Sequence, residues 1–262
     1  MRVKAVLKRL LPQSVANMSR RREETRALAA VPIARCDVSA LTRDYPALLD
    51  SSDWSEIEQR LAFGGERAQA VNPGDQRLVY VLTRALNVRD VLEIGTNVGG
   101  STVMFALAMG DPGHLTTVDI VDVNGPEGPA RRIGRETPAE LIRRMGLRNV
   151  QFVRSRSTDF MQTCDRRFDL IFLDGAHEAD VVYREVPLAL GLLKPGGIIL
   201  MHDVFPNLKP LWSDGKVIPG PWLAIDRLRR EGAAVRVEPL GRLPWVTKQG
   251  SNVTSLALLL RV

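Results

Sequence analysis

From residue 90 onward, short apolar runs alternate with stretches in which apolar residues recur every three or four positions. Short apolar runs are typical of buried strands, and the three-to-four spacing is typical of amphipathic helices. The runs predict strands at 91–94, 115–119, 150–154, 169–174, 197–202, about 234–238 and 255–261. The periodic stretches predict helices at 76–86, 101–109, about 136–145, 157–163, 178–192 and 222–231. This alternation predicts an α/β fold: a doubly wound, mostly parallel sheet of seven strands with helices on both faces.

The first 71 residues do not follow this alternation. Their pattern predicts a charged helix at about 20–30, followed by one or two short helices within 37–63. The segment Asn72-Pro73-Gly74-Asp75 is typical of a turn. We therefore predict an N-terminal basic arm and helical cap, residues 1–71, and one α/β domain, residues 72–262.

The net charge of +6 is concentrated near the N-terminus. Residues 1–35 contain nine basic and two acidic residues, a net charge of +7, so the remaining 227 residues carry a net charge of −1. A nucleic-acid groove in the α/β domain would require a basic surface. The charge distribution therefore argues against nucleic acid as a partner.

The first eleven residues predict a short basic amphipathic helix, with four apolar side chains on one face: Val3, Val6, Leu7 and Leu10. Such a helix is compatible with peripheral contact with an anionic membrane. Residues 1–11 are also compatible with an organelle transit peptide, or with a flexible or partner-packing arm. No apolar run is long enough to predict a membrane span.

A glycine-containing turn follows the first predicted strand, and a helix follows the turn. The pattern is Glu-x-Gly-x-x-x-Gly, beginning at Glu93 and including Gly95 and Gly99. Glycine accepts positive φ and has no side chain, so a ligand can approach the backbone closely. The first N–H groups of the next helix are free nearby. The same glycines are also compatible with close helix–strand packing alone.

This stretch resembles the first motif of the class I S-adenosylmethionine (SAM)-dependent methyltransferases, and the resemblance extends from about Asn72 to Val262. It implies a Rossmann-like domain and an enzyme that uses SAM as methyl donor. The residues that it implies in cofactor binding are Glu93, Gly95, Thr96, Gly99, Ser101, Asp119, Ser157 and Asp174.

Two of these positions have an alternative structural role. Asp119 ends the second predicted strand, 20 residues after Gly99, where a carboxylate accepts hydrogen bonds from a ribose diol. It is also placed to cap the following turn. Ser157 follows the third strand, beside the expected adenine position, and is also placed to cap the next helix.

Two acidic residues and two histidines end the fourth and fifth predicted strands. Asp174 closes the fourth strand with His177 three residues later, and the fifth ends in His202-Asp203. Neighbouring parallel strands end at the same edge of a sheet, so we expect these side chains to meet. Carboxylate and imidazole groups suit a divalent cation. The alternatives are a helix cap for Asp174, a surface position for His177, and a core or strand-end hydrogen-bonding role for His202.

The arrangement resembles metal-dependent O-methyltransferases of the catechol type and bacterial relatives that methylate sugar hydroxyls. In the catechol-type pattern, an aspartate that closes the fourth strand binds magnesium, a lysine three residues later is catalytic, and Asp-Asn closes the fifth strand. Here Asp174 matches the first ligand, His177 replaces the lysine, and His202-Asp203 replaces Asp-Asn. The resemblance implies Asp174, Asp203 and His202 as metal ligands, Mg²⁺ as the metal, and His177 with Asp174 as catalytic residues.

The sequence thus predicts a SAM-dependent O-methyltransferase of a small hydroxylated molecule, either a sugar or a natural product. Three alternatives stay open at this point. One is a metal-independent methyltransferase of nitrogen or another acceptor, with His177 as sole base. The others are an iron-dependent hydroxylase on the same fold, with iron at Asp174 and Asp203, and a catalytically silent SAM-binding scaffold.

Two long irregular stretches, 121–137 and 205–221, follow strand ends and are predicted to be substrate-side lids. Trp212, Trp222 and Trp245 are candidates for the acceptor pocket or, by default, for core packing. The low cysteine count, two in all, fits a reducing cytoplasm. The N-terminal helices are compatible with a homodimer.

Overall fold

The computed structural model describes residues 12–34, 36–42, 71–248 and 250–262. The described strands are β1 (Asp90–Ile94), β2 (His114–Asp119), β3 (Val150–Arg154), β4 (Phe168–Leu173), β5 (Leu193–Met201), β6 (Val235–Pro239) and β7 (Ala257–Arg261). They form one sheet in the order β3-β2-β1-β4-β5-β7-β6. β1 to β5 pair in parallel, and β7 pairs antiparallel with both β5 and β6. The predicted mostly parallel, seven-stranded α/β sheet is confirmed.

The described α-helices are α1 (Gln13–Ala29), α2 (Pro73–Ala85), α3 (Gly100–Met109), α4 (Pro129–Arg132), α5 (Pro138–Arg144), α6 (Ser157–Thr163), α7 (Ala179–Leu192) and α8 (Gly220–Arg230). Buried side chains on both faces of the sheet form two apolar clusters, one with α2 and α3 and the other with α7 and α8. On the first face the rings of Phe105 and Phe172 lie 5.5 Å apart. No helix in these ranges combines the length and apolar character that a membrane span needs.

Two helices begin more than two residues away from their predicted start. α2 begins at Pro73, because Asn72 caps it: the Asn72 side chain accepts a hydrogen bond from the Asp75 backbone N–H at 3.0 Å. An asparagine cap followed by proline is a helix start, so the predicted turn at 72–75 is wrong. α1 begins at Gln13 rather than near residue 20. The arm of residues 1–11 and most of the short helices predicted within 37–63 lie outside the described residues.

The N-terminal helix α1 packs against α7 and α8 of the α/β domain. Arg227 of α8 donates hydrogen bonds to the carbonyls of Leu28 and Val31. The Tyr183 hydroxyl of α7 accepts a hydrogen bond from the Ala34 backbone N–H at 2.7 Å and donates one to Glu231. The contacts are apolar as well as polar, since Leu28 and Val31 are buried in the apolar cluster of α7 and α8.

The turn after β1 is pressed against the end of β4. Gly95 has a φ of +100°, and a Cβ at this residue would lie 2.4 Å from the carbonyl oxygen of Asp174. The backbone N–H of Asp174 donates to the carbonyl of Ile94 at 2.9 Å, and that of Gly95 donates to Val118 at 2.9 Å. Glycine is therefore required here by the close approach of two backbones, as well as by its φ.

We expect Gly95→Ala to lower the free energy of unfolding by more than about 2 kcal/mol, because a strained φ and a backbone clash add together. Gly191→Ala is the matched control, since its added Cβ meets nothing within 4 Å and it lies in α7. The control should be neutral or stabilising by up to about 1 kcal/mol. Urea denaturation measures both changes, and equal stabilities for the two variants would contradict this packing.

Candidate active site

A cavity of about 1810 Å³ lies over the carboxyl ends of the parallel strands. Its wall includes residues that directly follow each of β1 to β5: 95–98, 119–121, 155–158, 174–178 and 202–203. Small-molecule pockets are usually about 300–1,000 Å³. The cavity is therefore large enough for a nucleotide-sized cofactor and a second molecule beside it.

Glu93 lies behind this wall and supports the glycine turn. It is fully buried, and its carboxylate accepts hydrogen bonds from the hydroxyls of Ser101 at 2.5 Å, Thr102 at 2.6 Å and Thr117 at 2.6 Å. Thr117 also bonds the Thr96 hydroxyl at 2.6 Å. Burial raises the pKa of Glu93 to about 7, against the lowering effect of these hydroxyls. The geometry is that of a support for the turn.

Of the other predicted cofactor-binding residues of this turn, all but Gly99 line the cavity. Gly95, Thr96 and Ser101 all line the cavity. Gly99 has a φ of +80°, and a Cβ there would lie 3.0 Å from Pro138. Its small size therefore serves packing against α5.

Asp119 stands at the end of β2, with its carboxylate on the cavity wall. One oxygen accepts the backbone N–H of Asn97 at 2.9 Å, and the other accepts that of Val121 at 3.0 Å. Each carboxylate oxygen has a second acceptor position. Asp119 thus holds two turns together and can still accept hydrogen bonds from a ligand.

Ser157 lines the cavity beyond β3. Its hydroxyl donates to the buried carboxylate of Glu185 at 2.5 Å. The residue before α6 is Arg156, and no side chain caps this helix. The alternative prediction of a Ser157 helix cap is therefore wrong, because its hydroxyl is used across to α7 instead.

The four polar side chains predicted to meet at one rim do so. His177 Nε2 lies 3.0 Å from Asp203 Oδ2 and 3.7 Å from Asp174 Oδ1. His202 Nδ1 lies 3.0 Å from Asp174 Oδ1 and 3.6 Å from Asp203 Oδ1. Asp203 has a φ of +54°, in the left-handed region that non-glycine residues rarely adopt. Such strained positions are concentrated at functional sites.

Both ring nitrogens of His202 face carboxylates. Nδ1 lies against Asp174, and Nε2 lies 3.3 Å from Asp75 Oδ2. Asp75 is fully buried and also accepts a hydrogen bond from the Asn72 side chain at 2.6 Å. Asp75 was missed in the sequence, where the Asn72 cap and the proline after it would have shown that α2 brings Asp75 to this rim. His202 is thus held between two acids, which leaves it without a nitrogen for a metal ion.

The charged side chains of the rim shift one another's pKa values. Burial raises the pKa of Asp203. The positive charge of His202 and the contact with His177 lower it by more than burial raises it, so the resulting pKa is about 2. Burial has the largest single effect on the pKa of Asp174 and raises it, but the charge and hydrogen bond of His202 and the hydrogen bond to His177 together lower it by more. The two carboxylates in turn raise the pKa of His177 to about 10. The rim therefore carries two ionised carboxylates near neutral pH.

The donor atoms fit a divalent cation. Asp174, His177 and Asp203 each offer one ligand atom, and these atoms lie within 4.8 Å of one another. His177 Nε2 is buried and makes no hydrogen bond with good geometry. A buried nitrogen without a hydrogen bond, beside two carboxylates, is the arrangement expected of a metal ligand set. His177 takes the third position that the sequence had assigned to His202.

Both predicted lids and one of the three candidate tryptophans reach the cavity, and the lid 121–137 does so through Val121 and Pro129. Trp212, in the segment 205–221, lines it, packs edge-on against Phe205 at 5.8 Å and lies under the Lys248 ammonium at 4.4 Å. The Trp245 indole donates instead to the carbonyl of Gly74 at 2.9 Å. Trp222 packs against the apolar cluster of α7 and α8. The other predicted lid contains the short helix α4.

Comparisons with known proteins agree with this fold. A family model described as a methyltransferase domain matches residues 92–204. A "Putative O-methyltransferase" of Mycolicibacterium vanbaalenii is 30% identical over 173 residues, which is 63% of this chain and 72% of that protein. A relative of the same description from Mycobacterium avium is 30% identical over 138 residues, 52% of this chain and 57% of that protein.

Two solved structures share the fold. The O-methyltransferase TomG of Streptomyces achromogenes, involved in tomaymycin synthesis and solved with SAM, has a TM-score of 0.55 and 21% identity, over 82% of this chain and 92% of that one. An O-methyltransferase of Bacillus cereus, solved with SAH, has a TM-score of 0.52 and 20% identity, over 82% of this chain and 93% of that one.

The chain belongs to the class I SAM-dependent methyltransferase family and is related to putative O-methyltransferases of mycobacteria. It is an enzyme of that family, so the predictions of fold, enzyme class and methyl donor are confirmed.

Glu93 should make the stability of the protein depend on pH. Its pKa rises from 4.5 to about 7 on folding, so the folded state binds the extra proton between these values. The free energy of unfolding of the native chain should therefore fall, relative to Glu93→Gln, by about 3 kcal/mol from pH 4.5 to pH 7. Urea denaturation at several pH values measures it. Glu127→Gln, at an exposed loop carboxylate, is the control, and a constant difference for Glu93→Gln would contradict the assignment.

Proposed function

We propose that this methyltransferase acts on a hydroxyl group of a small molecule and that Asp174, Asp203 and His177 hold a divalent cation beside the reacting atoms. The observation that supports the proposal most directly is the convergence of these three donors on the cavity wall, next to the glycine turn. Gly95 and Asp174 are in backbone contact, so a cofactor over the turn lies beside the acidic rim.

SAM is proposed to lie over the turn after β1. Asp119 would accept the ribose hydroxyls with its remaining acceptor positions, and Thr96, Ser101 and Ser157 would line the cofactor side of the cavity. The first N–H groups of α3 face the same turn. Glu93 would act through Ser101 and Thr117, by fixing the wall against which the cofactor rests.

The reaction requires an in-line displacement at the methyl carbon of SAM. A new O–C bond forms as the C–S bond breaks, the sulfonium becomes a thioether, and the acceptor hydroxyl loses its proton. The positions of the turn and the rim hold both reactants in one cavity, and such alignment supplies much of the rate increase. A divalent cation lowers the pKa of a neighbouring hydroxyl.

His177 is the proposed proton acceptor or third metal ligand. The carboxylates of Asp174 and Asp203 keep it protonated on their own, as its raised pKa indicates. A metal ligand or a general base must be unprotonated. His177 can therefore serve in either role only when a cation neutralises the two carboxylates. The second candidate, a metal-independent methyltransferase with His177 as sole base, is disfavoured by the same raised pKa of His177.

Iron chemistry is less well supported. Oxygenases with non-haem iron use two histidines and one carboxylate. Here the converging set has one histidine and two carboxylates, and His202 is bonded on both nitrogens. Two carboxylates favour Mg²⁺ or Mn²⁺. We keep Mg²⁺ as the proposed metal and a sugar or natural-product hydroxyl as the proposed acceptor, with Trp212 as part of its pocket.

Asp119→Asn should weaken SAM binding by about 10- to 100-fold, because a charge-assisted hydrogen bond is worth about 1.5–3 kcal/mol. Isothermal titration calorimetry with SAM measures the change. Asp122→Asn is the matched control, since Asp122 accepts only a local backbone N–H from Asn124 and does not line the cavity. Equal SAM affinity in the two variants would remove Asp119 from the cofactor site.

Asp174→Ala should abolish Mg²⁺ and Mn²⁺ binding and lower turnover by more than 100-fold, while SAM affinity is largely retained. Loss of a residue behind a metal ligand already costs about 10–100-fold, so loss of a ligand should exceed that. Metal titration by calorimetry, and mass spectrometry of hydroxylated acceptors incubated with SAM, measure the two effects.

The control for this experiment is Asp226→Asn, an exposed carboxylate on α8. The same assays with a chelator separate the two candidate functions. Turnover that survives both the chelator and Asp174→Ala would reject the metal site and leave the metal-independent reaction.

A further inference from the structure

The exposed face of α1 carries a mixed apolar and basic surface. Val15 is 43% exposed and Met18 is 57% exposed. Arg22 and Arg26 follow on the same side of the helix, with Arg21 at its edge, and all three are exposed. We call these five residues the α1 surface. Single exposed apolar side chains are ordinary on protein surfaces, so it is their place beside three clustered arginines that makes this face a candidate contact surface.

The opposite face of α1 is fixed to the active-site region. Asn17 donates a hydrogen bond to the carbonyl of Gly215 at 2.9 Å, and Arg20 donates to that of Val217 at 3.4 Å. Glu24 accepts the backbone N–H of Ala179 at 2.6 Å, two residues after His177. α1 is thus rigidly connected to the 205–221 lid and to the first turn of α7, while its α1 surface faces away.

We propose that the α1 surface, with the chain that precedes it, docks on an anionic lipid membrane. Residues 1–35 carry a net charge of +7 and the remaining 227 residues carry −1, so the attraction is confined to this end. The first eleven residues of the sequence add four basic and no acidic residues. Basic residues bind anionic headgroups while apolar ones enter the acyl boundary.

The same charge argues against the other occupants. Two copies that met through this surface would place like charges opposite each other, which disfavours a dimer here. Nucleic acid would use the arginines but offers no apolar phase for Val15 and Met18. A bilayer is the surface that satisfies both kinds of side chain.

Co-sedimentation with lipid vesicles tests the proposal without any methyltransferase assay, so its failure is independent of the proposed reaction. The full chain should bind vesicles of phosphatidylcholine mixed with phosphatidylglycerol, bind phosphatidylcholine alone weakly, and dissociate at high salt. The triple variant R21E/R22E/R26E should bind at least about 100-fold more weakly, since each basic residue near the surface contributes roughly fivefold.

A charge-matched triple variant, R148E/R167E/R229E, changes three exposed arginines elsewhere and should bind almost as well as the native chain. The double variant Val15→Ser/Met18→Ser should also bind vesicles more weakly. This loss should not depend on the salt concentration, because the variant removes apolar rather than charged contacts. Circular dichroism and SAM titration check that each variant is folded. Equal loss in both triple variants, no vesicle binding, or tighter binding to duplex DNA than to vesicles would each overturn the proposal.

Discussion

The contact between the glycine turn of β1 and the end of β4 is the constraint on which the rest of the site depends. Gly95 lies against the backbone of Asp174, and no side chain fits between them. Because β4 is the direct neighbour of β1, the cofactor wall and the acidic rim share one boundary. Under the proposed function, a methyl donor over the turn would lie beside the groups that are proposed to activate the acceptor. The backbone contact between Gly95 and Asp174 fixes how the turn and the rim are aligned.

The charges of the rim are arranged around that boundary. His202 lies between Asp174 and the fully buried Asp75. The imidazole of His202 holds the Asp174 carboxylate in place, and its positive charge compensates the negative charge of that carboxylate. Asp203 is held on the other side, in a strained backbone conformation, and faces His177. Burying two carboxylates is costly without compensation. His202 therefore supports Asp174 through hydrogen bonds, whereas Nε2 of His177 makes no hydrogen bond with good geometry.

Much of this could be predicted from the sequence, because β1 to β5 and their helices follow simple apolar periods. The meeting of Asp174, His177 and Asp203 also followed from strand adjacency alone. The division of roles between the two histidines could not be predicted, because it depends on Asp75, which α2 brings in from a segment distant in the chain. The start of α2 was predicted as a turn because residues 72–75 are typical turn residues. Apolar periodicity does not indicate which distant residue a buried imidazole contacts.

The most direct test of the central claim is a crystal structure of the protein with S-adenosylhomocysteine and Mn²⁺, with the metal located by its anomalous scattering. We expect the cofactor to lie over the turn from Gly95 to Gly99, with its ribose hydroxyls hydrogen-bonded to Asp119. We expect the metal to be bound by Asp174 and Asp203 beside the cofactor sulfur. A metal peak at another part of the surface, or a cofactor bound away from the glycine turn, would contradict it.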